Sequence, residues 1–160
     1  MLPTNKIISR EEAHQIAEQL HEAKQPIVFT NGCFDLLHRG HIELLHFAKE
    51  QGKVLFVGLN SDSSVQRLKG TRRPINSQDD RAAILAAIEY VDYVVIFYED
   101  TPFELIAVIQ PDVLVKGGDY EPHEIVGRDI VEGRGGKVLV FPLINGFSST
   151  QLLKKLMNNF

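Results

Sequence analysis

Apolar residues gather in five short, nearly unbroken runs: Ile27–Thr30, Val54–Leu59, Tyr93–Phe97, Val113–Lys116 and Val138–Phe141. Each is rich in β-branched or aromatic residues. Continuous apolarity without alternation marks strands covered on both faces, as in a parallel sheet. Between the runs the apolar spacing changes to three and four. Ser9 with Glu12 forms a capping box, Ile8 and Ala13 a candidate staple, and Ile16, Ala17, Leu20 and Ala23 the stripe of a first helix. A second helix is expected over His41–Gln51, stopped at Gly52. Gln78–Tyr90 follows Ser77 as N-cap, and Thr101-Pro102 with Glu104 opens another helix. Ile125–Glu132 is interrupted by Gly127, and Ser149-Thr150 introduces the last helix, Gln151–Met157. This alternation predicts an α/β fold, a doubly wound parallel sheet with right-handed crossovers. Residues 1–160 read as one domain, with 1–25 a helical extension ahead of the first strand. Leu68–Asn76, rich in turn residues and cations, is expected to be the least structured stretch.

Composition narrows the possibilities without choosing among them. Apolar content of 44% and charged content of 24% are those of an ordinary globular protein. A net charge of −4 argues against a general nucleic-acid binder, which needs a basic face. The single cysteine, Cys33, cannot form an intrachain disulfide, so a reducing cytoplasm is the expected setting. No signal peptide or membrane span is visible in the sequence. A homo-oligomer, a dimer first, is the expected assembly.

Candidate chemistry concentrates in Gly32-Cys33-Phe34-Asp35-Leu36-Leu37-His38-Arg39-Gly40-His41, directly after the first strand. A helix start presents unpaired N–H groups and a positive dipole end, which attract anions. Two imidazoles flanking Gly40 at that place suit a phosphate that gains charge during reaction. His14, His21, His46 and His123 read as structural or solvent-facing. A zinc site would need more ligands than His38 and His41 provide, so no protein-held metal is expected. In doubly wound sheets ligands bind beyond the carboxyl ends of the strands. Two further loops leave such ends: Lys116-Gly117-Gly118-Asp119-Tyr120 and Asn145-Gly146-Phe147-Ser148-Ser149-Thr150. Lys116 at the end of a buried strand needs an anion or water. Ser148-Ser149-Thr150 serves equally as a helix cap or as a phosphate cradle. Lys69, Arg72 and Arg73 suit a lid that closes over phosphates, or a solvated basic loop. Arg81 opposes the dipole at a helix start, which points to an anion or to a surface pair with Asp79 or Glu104. Asp35 is suited to stabilising its turn.

The pattern G-x-F-D-x-x-H-x-G-H resembles the signature of the nucleotidyltransferase superfamily that includes cytidylyltransferases and pantetheine-phosphate adenylyltransferase. The resemblance runs from about Ile27 to Leu156. It implies a Rossmann-like five-stranded sheet of order 3-2-1-4-5. Further stretches resemble the D-glycero-β-D-manno-heptose 1-phosphate adenylyltransferases of ADP-heptose and lipopolysaccharide-core synthesis: Asn60-Ser61-Asp62, Arg67-Leu68-Lys69-Gly70, Arg73-Pro74-Ile75-Asn76, Glu99-Asp100-Thr101-Pro102 and Leu114–Tyr120. That branch occurs alone or as the C-terminal half of a bifunctional protein with a sugar kinase. The implied substrates are ATP and a sugar 1-phosphate, and the implied cofactor is Mg2+ held mainly by the ATP phosphates. His38, His41 and Lys69 would be catalytic. Gly32, Cys33, Phe34, Gly40, Lys116, Gly117, Ser148, Ser149 and Thr150 would join the histidines in binding nucleotide. Asn31, Asp35, Arg73, Arg81 and Asp119 would face the acceptor. The alternatives are a glycerol-3-phosphate cytidylyltransferase, against which Leu143 and Lys116-Gly117-Gly118 speak, and a non-catalytic nucleotide sensor.

Overall fold

A computed structural model describes residues 3–142 and 144–159. Five parallel strands form one sheet in the order β3-β2-β1-β4-β5: β1 Ile27–Gly32, β2 Val54–Asn60, β3 Tyr93–Phe97, β4 Val113–Gly117 and β5 Lys137–Phe141. The helices are α1 Arg10–Glu22, α2 Arg39–Lys49, α3 Asp62–Lys69, α4 Gln78–Ala86, α5 Phe103–Ile109, α6 Arg128–Gly133 and α7 Ser149–Asn158. Among the described residues no helix is long and apolar enough to cross a membrane.

Because side chains alternate along a strand, each apolar run feeds two cores. Val28, Leu55, Val57, Leu59 and Val94 pack with Leu44 and Leu45 of α2 and Leu85 of α4. Ile27, Phe29, Phe56, Val95 and Phe97 pack on the opposite side with Ala13 and Ala17 of α1, Leu105 and Ile109 of α5 and Val131 of α6. The N-terminal segment also adds to the sheet edge: Ile7 bridges Val94, and the Lys6 ammonium donates to the carbonyls of Ile88 and Val91.

The pairing of the central strand positions the site. β1 runs beside β2 through six pairs, from Ile27–Val54 to Gly32–Leu59. Its pairing with β4 is confined to Val28–Val113 and Phe29–Leu114. Beyond Phe29 the two strands part at the point where strand order reverses. The crevice that opens there is the general ligand position of such sheets.

Several boundaries differ from those the sequence suggests. The second helix starts at Arg39, because His38 is its N-cap, two residues before the expected start. α3 was not apparent in the apolar pattern. It has eight residues and buries only Ser64 and Val65, too little to show a period, although Ser61 caps it by accepting from the Ser64 amide. α4 ends at Ala86 rather than Tyr90. At α5 the N-cap is Pro102 without a side-chain cap, so Thr101 and Glu104 do not form the expected box. Gly127 is the N-cap of α6 rather than a residue within it. α7 begins at Ser149, capped by Ser148. Leu143 lies outside the described residues.

Candidate active site

The turn after β1 carries the histidines. Phe34, buried, adopts φ +45°, a left-handed conformation costly for a bulky residue. Its ring then lies 5.2 Å from that of His41. His38 and His41 stack with centroids 3.9 Å apart. A Cβ on Gly40 would stand 3.0 Å from the His38 ring and 3.3 Å from Phe147, so glycine lets the loop and the start of α2 approach this closely.

The backbone N–H of His38 donates to His41 Nδ1 at 3.3 Å. An amide can only donate, so Nδ1 is an acceptor and the neutral ring carries its proton on Nε2. Burial, then the charges of His38 and Lys69, push the His41 pKa down to about 4. Burial likewise lowers that of His38, whose Nδ1 is enclosed without a partner. At neutral pH His41 therefore presents a neutral Nε2–H, a donor suited to a phosphate oxygen.

The histidines border a cavity of about 320 Å³. Every residue expected to bind nucleotide lines it: Gly32, Cys33, Phe34, His38, Gly40, His41, Lys116, Gly117, Ser148, Ser149 and Thr150. Asn31, Asp35 and Lys69 line it too. Sequence reasoning missed its apolar wall, which includes Leu44, Phe141, Ile144 and Phe147. The lone aromatic in Asn145-Gly146-Phe147-Ser148 was the available signal. Ser148 Oγ accepts from the Gln151 amide, and Ser149 Oγ donates to the Leu36 carbonyl. Ser148 thus caps α7 while Ser149 ties the α7 start to the histidine loop, leaving the amides of Ser149 and Thr150 as anion donors. Lys116 is largely buried, and burial lowers its pKa. Its ammonium sits 5.2 Å from the Tyr120 ring centroid.

Three expected acceptor ligands stand elsewhere. Arg81 is 1% exposed. Its guanidinium donates to the carbonyls of Asn76, Cys33 and Asn60 at 2.7–3.0 Å and to Asp62 at 2.7 Å. Neither Asp79 nor Glu104 is its partner; the anion it meets is the Asp62 carboxylate, and the guanidinium ties α4 to the ends of β1 and β2 rather than facing a ligand. Asp119 is exposed and lines neither this cavity nor the one beside it. Arg73 Nε donates to Asp35 at 2.7 Å.

That pair corrects the expected lid. Leu68 and Lys69 end α3, and Asp35 also accepts the amides of Ile75 and Asn76 at 2.8–3.0 Å. Burial alone would raise the Asp35 pKa, but the amides of Asn76 and Ile75 and the Arg73 guanidinium together hold it below the usual carboxylate range. Within the expected mobile stretch Gly70 is tied as well, its N–H donating to the Gln66 carbonyl and its carbonyl accepting from the Arg73 amide. Among the other histidines, His21 bonds the Ile109 carbonyl, while His46 is exposed beside Glu50 and Tyr90.

Asp35, the one carboxylate on the wall of this cavity, is committed to these bonds. Among the described residues no cluster of three His, Cys, Asp or Glu could hold a metal. The donor set fits a divalent cation carried on nucleotide phosphates better than one caged by protein.

Sheet order, crevice and stacked histidines at a helix start define a Rossmann-like domain of the nucleotidyltransferase class. The chain belongs to the Cytidylyltransferase-like family, whose family model matches residues 29–155. It is 53% identical over 154 residues to the Bifunctional protein HldE of Wolinella succinogenes, covering 96% of this chain and 32% of that protein. The Bifunctional protein HldE of Aliarcobacter butzleri is 53% identical over 149 residues, covering 93% and 30%. The chain thus spans about a third of the length of these relatives. A lipopolysaccharide core biosynthesis protein from Thermoplasma volcanium superposes with a TM-score of 0.61 at 26% identity, covering 75% of this chain and 97% of that one. Pantoate-beta-alanine ligase from Francisella tularensis shares the fold at 16% identity, with a TM-score of 0.63 over 96% of this chain and 76% of its own.

Proposed function

We propose that this protein transfers AMP from ATP to a sugar 1-phosphate, D-glycero-β-D-manno-heptose 1-phosphate, giving ADP-heptose and pyrophosphate. The observation that carries the reading is the stacked His38–His41 pair beside the α7 start and Lys69 in one cavity. Similarity to the HldE proteins supports the sugar phosphate over glycerol 3-phosphate.

An acceptor phosphate is already an anion at neutral pH, so the reaction needs no general base. One of its oxygens attacks the α-phosphorus of ATP, and the bond to the β-phosphate oxygen breaks as pyrophosphate leaves. The site's work is then alignment and stabilisation of charge. His41 Nε2–H and His38 donate at the α-phosphate. The first-turn amides of α7 hold the phosphate tail. Mg2+ carried on the triphosphate, when bound, supplies charge neutralisation for the departing pyrophosphate. The apolar wall of Leu44, Ile144 and Phe147 suits the base.

Pyrophosphate release measured over a matrix of nucleoside triphosphates and phosphorylated acceptors tests the reading. ATP with the heptose 1-phosphate is expected to have the highest kcat/KM. A higher value for CTP with glycerol 3-phosphate rejects the branch, and no release with any pair favours a nucleotide sensor.

Lys69 is exposed at the end of α3 yet lines the cavity, where its charge reaches His41. Lys69→Ala is expected to lower kcat by about 10- to 100-fold while ATP affinity changes little, because the contact strengthens as charge develops. Steady-state kinetics with a separate ATP titration decide this. Collapsed affinity with unchanged kcat makes Lys69 a ground-state anchor.

A further inference from the structure

A second cavity of about 380 Å³ opens across the β1–β4 crevice from the histidines. The two cavities meet at Asn31, Gly32, Cys33, Lys69 and Lys116, which line both. A molecule spanning this junction would place its phosphate between the two lysines and its remainder in the second cavity. The walls there differ from those of the nucleotide cavity. Tyr120 and Glu124 come from the segment after β4, Asn60 from the end of β2, and Asp100 and Thr101 from the β3–α5 connection. Its apolar part includes Leu114, Ile125 and Pro102.

Tyr120 is held for a purpose that its own packing does not explain. It is 44% exposed, so burial is not its role. Gly118 takes φ +127°, and a Cβ there would come within 2.9 Å of the Tyr120 ring. The chain thus curls back to lay the ring over Lys116 at the cavity junction. A flat aromatic face beside carboxylate and hydroxyl groups matches a pyranose, which has an apolar C–H face and a rim of hydroxyls. A short linear acceptor such as glycerol 3-phosphate has no comparable face. Asp100 is already engaged by Arg67 at 2.6 Å. Glu124 accepts one local bond, from the Glu121 amide, through Oε2. Thr101 is exposed at the mouth of the helix it precedes.

We propose that this second cavity binds the sugar ring of the acceptor, with Tyr120 as the platform under the ring and Glu124 and Thr101 as partners for its hydroxyls. This rests on the reading that the acceptor is a sugar 1-phosphate. It assigns acceptor specificity to the β4 loop and the β3–α5 connection, and relieves Asp119 of the role its sequence position suggested.

The test compares Tyr120→Ala, Tyr120→Phe and Glu124→Gln with the unaltered chain, using ATP and the sugar 1-phosphate. Tyr120→Ala is expected to raise KM for the sugar phosphate about tenfold, as loss of one apolar contact does. Tyr120→Phe should restore it, since the ring face is what matters. Glu124→Gln should also raise KM for the sugar phosphate. KM for ATP should stay within about twofold in all three, because the nucleotide cavity is lined by other residues. If the unaltered chain uses the sugar phosphate and these variants leave its KM unchanged, the subsite is wrong while the activity stands. An equal rise in KM for ATP shows that Tyr120 acts through Lys116, which also overturns the assignment. If the unaltered chain uses no sugar 1-phosphate, both readings fall together.

Discussion

His41→Ala is expected to lower kcat by about 10²- to 10³-fold, the usual cost of removing a donor aimed at developing charge. The fold should survive. His41 is not a member of either hydrophobic core, and among the described residues its side chain makes one hydrogen bond, accepting from the His38 amide. His38→Ala should behave similarly, while His46→Ala, on the exposed side of α2, should leave turnover largely intact. Circular dichroism and steady-state kinetics on the three proteins check this, and near-normal turnover in a folded His41→Ala protein would end the proposed mechanism. The same side chain gives a pH signature. Its pKa lies at about 4 in the fold, below the ordinary value of 6.5. The unfolded chain therefore binds this proton first, so stability falls as pH drops from 6.5 towards 4. Urea unfolding at several pH values across that window should show a shallower decline in His41→Ala.

Asp35→Ala is expected to cost about 3–5 kcal/mol of stability, the range for removing one partner of a buried ion pair. The Asp35 side chain is fully buried and that of Arg73 is 13% exposed. Removing the carboxylate strands the guanidinium, whose Nη2 is already enclosed without a partner, and also the amides of Ile75 and Asn76. Arg73→Met in the same background should recover part of the loss, because it removes the stranded charge. Urea unfolding of the single and double variants measures this, and a cost under about 1 kcal/mol would mean the pair is no stronger than a surface ion pair. Since the folded pKa of Asp35 is depressed, its contribution is present above the unfolded value of 3.8 and is lost as pH falls below it. Activity should fall as well, because Asp35 lies three residues before His38 and clamps the turn that aims both histidines.

Much of the site could be read along the chain. Residues 32–41 are contiguous, so the glycine, the two histidines and the helix start reveal themselves at short range. The strands were equally legible, because burial on both faces demands unbroken apolarity whatever packs against them. Legibility failed wherever one partner was distant. Arg81 resembled an anion ligand because its real partners, Asp62 and the carbonyls of Cys33 and Asn60, lie 19 to 48 residues before it. Arg73 resembled part of a lid because Asp35 lies 38 residues away. α3 stayed hidden because eight residues that bury one apolar side chain leave no periodic trace.

By itself, then, the sequence determined the strands of the sheet, most of the helices that cover it and the loop that carries the paired histidines. These depend on local periodicity, capping and a contiguous motif. The tertiary structure decided which cations meet solvent and which are locked in pairs, since that depends on the side chains the crossovers place beside them. It also decided that β1 and β4 part beyond Phe29, and so that a second cavity lies across the crevice from the first. The length of a strand pairing depends on where two distant segments diverge, and neither segment records the other's path in its own order of residues.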